Sequence, residues 1–83
     1  MPMPSTIEAN YLRDLGDLLK ESALEAKRRA HSAHGSATES YENGRAFAYY
    51  EVVSLMLGQA KAFQLPPDAL GLQDVDADRD FLG

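Results

Sequence analysis

A chain of 83 residues, 45% hydrophobic and 25% charged, has the makeup of one small folded domain and excludes a multidomain enzyme. It contains no cysteine, which rules out disulfide staples, thiolate metal sites and cysteine nucleophiles. The net charge of -5 opposes nonspecific attraction to nucleic acid or to an anionic membrane.

A domain this small buries only about 60% of its unfolded surface, so help from outside the chain is expected. The opening Met1-Pro2-Met3-Pro4 lacks the basic and apolar regions of a signal peptide, and no stretch reaches the ~20 apolar residues that span a bilayer. Residues 1–4 are read as a disordered N-terminus, no membrane partner is expected, and a cytoplasmic location follows by default.

Ser5-Thr6-Ile7-Glu8 fits a capping box and predicts a helix start at Ser5. From there Leu12, Leu15, Leu19, Ala23, Ala26, Ala30 and Ala33 recur at steps of three and four, one stripe at about 100° per residue, with Tyr11 and Leu18 beside it. Arg13, Asp17, Lys20, Glu21 and Arg28 make a solvated opposite face, with Leu24 as its lone apolar member. Gly16 weakens this helix by up to about 1 kcal/mol relative to alanine, yet the periodicity passes through it unchanged. His34-Gly35-Ser36 supplies the stop, and Lys27, Arg28 and Arg29 suit the negative end of the helix dipole.

Ser36-Ala37-Thr38-Glu39 offers a second capping box, and the next helix is predicted from Thr38 to Gln64, stopped by Pro66-Pro67. So short a connection makes the helices antiparallel neighbours. The predicted fold is all-α: a hairpin over residues 5–65, followed by an acidic-apolar segment or short helix over 66–83 that packs on it. Pairing positions whose numbers sum to about 71 sets the alanines of the first helix beside Tyr41 and Arg45, and Arg29 opposite Glu42. Residues 66–83 hold Asp68, Asp74, Asp76, Asp78 and Asp80 against Arg79, four of the five excess negative charges. Leu70, Leu72, Val75, Phe81 and Leu82 between them make this segment too apolar for a purely solvated tail.

Few residues are arranged for chemistry. His31 and His34 lie three apart, but Lys27, Arg28 and Arg29 oppose a divalent cation beside them. Asp74-Val75-Asp76-Ala77-Asp78 opens like a calcium loop, then fails: Arg79 replaces the turn glycine and no bidentate glutamate follows. No nucleophile elbow or glycine-rich phosphate loop is present. The expectation is therefore a protein that is not an enzyme and carries no metal or cofactor.

The surface is more informative. Tyr49, Val52, Val53, Met56, Ala60 and Phe63 are expected to pack on the first helix, while Phe47, Tyr50, Ser54, Leu57 and Lys61 form a second stripe rotated by roughly 140°. Either the C-terminal segment or a second protomer must cover it. A helix from Ser5 to Ala33 would be about 45 Å long, against about 30 Å for a compact domain of this size. A homodimer is therefore expected, two hairpins forming a four-helix bundle through Phe47, Tyr50, Ser54, Leu57 and Lys61, with Ser54 and Gly58 as a small-residue notch. By subtraction the expected function is protein–protein interaction by a small regulator, adaptor or inhibitor. The alternative is RNA or DNA binding through Lys27, Arg28, Arg29 and Arg45. In outline the chain resembles small bacterial helical-hairpin dimers that bind RNA, although none of their motifs is present.

Overall fold

The computed structural model describes residues 6–82, and these form α1 (Ile7–Ser32), α2 (Glu39–Ala62), a single 3-10 turn (Pro67–Leu70) and α3 (Ala77–Phe81), with no strand among the described residues. Residues 1–4 and the predicted cap Ser5 lie outside the described residues. Thr6 is the N-cap: its backbone is extended, and its hydroxyl accepts from the Ala9 N–H at 3.0 Å. Gly35, at φ +79°, lets the chain reverse after α1.

The second predicted capping box does not form. Ser36 already donates its hydroxyl to the Ala33 carbonyl at 2.6 Å, and the Glu39 carboxylate pairs with Nδ1 of His34 at 2.9 Å. Thr38 takes the N-cap position of α2 without a side-chain bond to the helix. At the other end α2 stops at Ala62, short of the predicted Gln64. Gln64 adopts a left-handed φ of +58°, and the Leu65 N–H returns to the Ala60 carbonyl at 2.7 Å. That closure satisfies the helix end before Pro66 is reached.

The two long helices pack side by side, burying Ala23, Ala26, Ala30 and Ala33 of the α1 stripe and its turn against α2 residues that include Val53 and Ala60. Alanines let the helices approach closely near the turn, and shared hollows fix the register: Leu12 with Met56 and Ala60, Ser22 and Glu25 with Arg45, Arg29 with Glu42.

After Pro67 the chain crosses the hairpin on one face only. Leu70, Leu72 and Phe81 are buried in one cluster with Ala23, Val53 and Ala60, and Leu72 is wholly enclosed. Leu24, expected as an isolated apolar residue in water, is half-buried against this cluster, because the returning segment lies over that side of α1. The closest approach is backbone on backbone. A methyl group on Gly16 would fall 1.5 Å from the Leu70 carbonyl oxygen, and one on Gly71, which sits at φ +69°, would fall 2.3 Å from the Arg13 carbonyl oxygen. Gly16, read from sequence as a weakness of α1, is thus the seat on which the C-terminal segment rests. The result is a slab of 53 × 21 × 16 Å, a hairpin sealed on one face.

Candidate functional site

The sealed face contains much of the second α2 stripe. Tyr50 and Leu57 are half-buried against the Leu70–Phe81 cluster, and the Tyr50 hydroxyl donates to Oδ1 of Asp78 at 2.5 Å. That hydrogen bond to a carboxylate holds the phenol proton and raises the Tyr50 pKa. Ser54 is half-buried, while Phe47 and Lys61 remain exposed; the Phe47 ring lies 5.7 Å from that of Tyr50. The cover that this stripe requires is thus supplied largely within the chain. Gly58 is exposed, with open space around it.

Lys27 also belongs to this side, where its ammonium donates to the Asp80 carbonyl at 3.0 Å. Within the acidic run, Asp76 caps α3 by accepting from the Arg79 N–H at 3.0 Å, and Asp80 reciprocates by accepting from the Asp76 N–H at 3.0 Å. The alternating aspartates that resemble a calcium loop therefore start a helix. Among the described residues no group of three or more His, Cys, Asp or Glu is placed to hold a metal ion.

The Arg79 side chain donates to Asp80 at 2.8 Å, and this bond, followed by that from the Asp76 N–H, lowers the Asp80 pKa to about 2. A pKa depressed on folding means that the contribution is complete above the ordinary value of 3.8 and fades as pH falls through about 2. We expect the Asp80 carboxyl to titrate near 2 by NMR, with α3 amide protection declining over the same range. Titration at the ordinary value would contradict this cap.

The opposite, open face is different in kind. At about 100° per residue, Tyr41, Arg45, Ala48, Val52, Leu55, Gln59 and Phe63 fall within a narrow arc of α2 turned away from the C-terminal segment. On α1 the matching arc holds Tyr11, Leu15, Leu18, Ser22, Glu25 and Arg29. Tyr41, Leu55 and Phe63 are 68%, 64% and 73% exposed. Val52 and Phe63, expected to pack on α1, are exposed instead, since Val53 and Ala60 occupy the contact and their neighbours rotate outward. Leu12, Leu55, Met56, Phe63, Leu65 and Leu70 line an apolar groove of about 310 Å³ at the end remote from the turn.

Nearer the turn the open face is ionic. Arg29 was expected to bridge to Glu42; it pairs with Glu25 at 3.2 Å, as does Arg28 at 3.5 Å, because a carboxylate one turn back on the same helix is within easy reach. The Arg45 guanidinium lies over the Tyr49 ring, 5.3 Å from its centroid. Oε2 of Glu42 and Nη1 of Arg45 are shielded from solvent without a hydrogen-bond partner. Of the candidate nucleic-acid contacts Lys27, Arg28, Arg29 and Arg45, Lys27 lies on the sealed side and holds the C-terminal segment, while Arg28 and Arg29 share Glu25 and Arg45 lies over Tyr49.

No family model matches the chain, and neither a curated protein nor a solved structure shows significant similarity to it. No helix among the described residues is long and apolar enough to cross a membrane.

Sequence reasoning missed the open face and the Gly16 seat. An isolated glycine inside an uninterrupted helical period is the available signal for close backbone approach. The mixed stripe Tyr41, Ala48, Val52, Leu55 and Phe63 was less visible, because Arg45 and Gln59 interrupt it.

Proposed function

We propose that this protein is a non-enzymatic, self-associating helical module that acts by protein–protein interaction, two hairpins pairing through their open faces into a four-helix bundle. The observation that carries this is the asymmetry of the hairpin: its own C-terminal segment seals one face, while the other displays Tyr11, Leu18, Tyr41, Val52, Leu55 and Phe63. Apolar side chains gathered on one face favour a second apolar surface over water. The face spans about 36 Å of helix and about 20 Å of width, two helix diameters. That is on the order of 700 Å², close to the roughly 800 Å² per partner of stable complexes. The dimer would leave the aspartates of the C-terminal segment outward, where they suit a basic surface on another protein. This moves the contact from Phe47, Tyr50, Ser54, Leu57 and Lys61 to the opposite side of α2.

Sedimentation equilibrium tests the reading. A dimer is expected at micromolar concentration, and Leu55→Asp should weaken it by at least about tenfold, because an unpaired buried carboxylate costs more than the ~1.4 kcal/mol that a factor of ten represents. A strictly monomeric mass at several hundred micromolar would reject it.

A further inference from the structure

We infer that the hollow on the sealed face, between α3 and the turn, binds a small organic acid with a ring-sized apolar body and one carboxylate. The site lies opposite the face assigned to self-association, so neither reading depends on the other. α3 crosses the hairpin short of the turn, and beside it a cavity of about 230 Å³ opens between α1, α2 and the residues Phe81 and Leu82. At ~30 Å³ for each water in the liquid, a volume of about 230 Å³ holds about eight, the bulk of one six-membered ring with its carboxylate.

Two kinds of wall meet in this cavity. Phe47 and Leu82, 50% and 45% exposed, are its apolar flanks, and buried Ala30 with half-buried Ala46 leaves the space between the helices open beneath them. Lys27 and His31, one turn apart on α1, and Asn43 on α2 supply the polar rim. Lys27 is held there, since its ammonium donates to the Asp80 carbonyl at 3.0 Å. That bond uses one of its three protons, and a neutral carbonyl leaves the positive charge uncancelled. Among the described residues none that lines the cavity is acidic. Asp80 feels the Lys27 charge, yet both its oxygens are engaged, with the Arg79 guanidinium and the Asp76 N–H.

Rim and flanks together select the ligand. A carboxylate would accept from Lys27 and from the Asn43 carboxamide, and such charge-assisted bonds are the stronger class. A ring would take Phe47 and Leu82 out of water. An inorganic anion leaves the flanks wet, and a neutral ring leaves the ammonium without an opposite charge. An ammonium already fixed in place lowers the ordering cost of binding.

Benzoate is the probe, titrated at constant ionic strength and followed by amide chemical shifts, with benzamide as its uncharged counterpart. Saturable shifts centred on Ala30, Asn43, Ala46 and Phe47 are expected for benzoate, with benzamide bound at least about tenfold more weakly. Lys27→Gln should weaken benzoate by about the same factor. Phe47→Ala, at a half-exposed side chain, should weaken it severalfold and stands in should the lysine change loosen the C-terminal segment. Arg28→Gln should leave binding unchanged, because that guanidinium pairs with Glu25 outside the cavity. No saturable shift at tens of millimolar benzoate overturns the inference, as does equal binding of benzamide. Equal losses in Lys27→Gln and Arg28→Gln also overturn it, since attraction would then be by charge alone. A peptide ending in phenylalanine that binds through its free carboxylate where benzoate does not would assign the cavity to a protein C-terminus instead.

Discussion

Replacing Gly16 by alanine is expected to destabilise the protein by about 2 kcal/mol or more, although the same change in an exposed helix normally stabilises. Two effects of opposite sign compete. Alanine improves intrinsic helix propensity by up to about 1 kcal/mol. Against this, its methyl would lie 1.5 Å from the Leu70 carbonyl oxygen, and a backbone atom cannot rotate out of the way as a side-chain tip can. Overpacking in a closed site costs about 1 to 3 kcal/mol even when side chains can give, so the clash should prevail. The C-terminal segment would lift from α1, taking Leu70 and Gly71 out of contact. Gly58→Ala is the control: Gly58 has open space around it, and there the propensity gain should appear alone. Urea unfolding of both variants gives the comparison, and amide exchange at Leu72 and Phe81 shows whether the segment has left. Equal, stabilising shifts in both variants would refute the close approach.

Leu72→Ala should have the largest effect of any single apolar truncation outside the helices. Leu72 is completely enclosed, in contact with both the C-terminal segment and the hairpin core. Buried Leu→Ala changes cost about 2 to 5 kcal/mol, while a chain of this length has about 4 to 12 kcal/mol of total stability. Loss of a third or more of that total is therefore expected, seen as a lower midpoint in thermal or urea denaturation. Leu82→Ala, one residue beyond buried Phe81 at a side chain 45% exposed, should change the midpoint little. A loss below about 1 kcal/mol for Leu72→Ala would mean that the segment is held mainly by its polar links, Lys27 to the Asp80 carbonyl and Tyr50 to Asp78.

Both predictions concern contacts between the C-terminal segment and the hairpin, residues far apart in the chain, and they mark a division in what was legible beforehand. The two long helices are written locally. The three- and four-residue recurrence from Leu12 to Ala33 places the alanines on one line, and side chains on one line must share a face whatever they later touch. Gly35 likewise permits the reversal between the helices by its own backbone freedom. End positions were less secure, because neighbouring groups compete for the same donors and acceptors: Ser36 gave its hydroxyl to Ala33 rather than to the start of α2, and Glu39 turned to His34.

Which face of the hairpin would be covered was beyond local reading. Periodicity assigned one apolar side of α2 to α1 and left the Phe47–Leu57 side for either the C-terminal segment or a second protomer, since both are apolar enough to cover it. The choice depended on shape: only the side carrying Gly16 lets a backbone carbonyl settle directly on α1, and that fit exists only once α1, α2 and the turn at Pro67 are already in place. The sequence by itself determined two antiparallel amphipathic helices and an acidic, partly apolar end. Tertiary structure alone decided that this end seals the Tyr50–Leu57 side and leaves Tyr41, Val52, Leu55 and Phe63 to the outside, because close packing selects among surfaces that hydrophobicity does not distinguish.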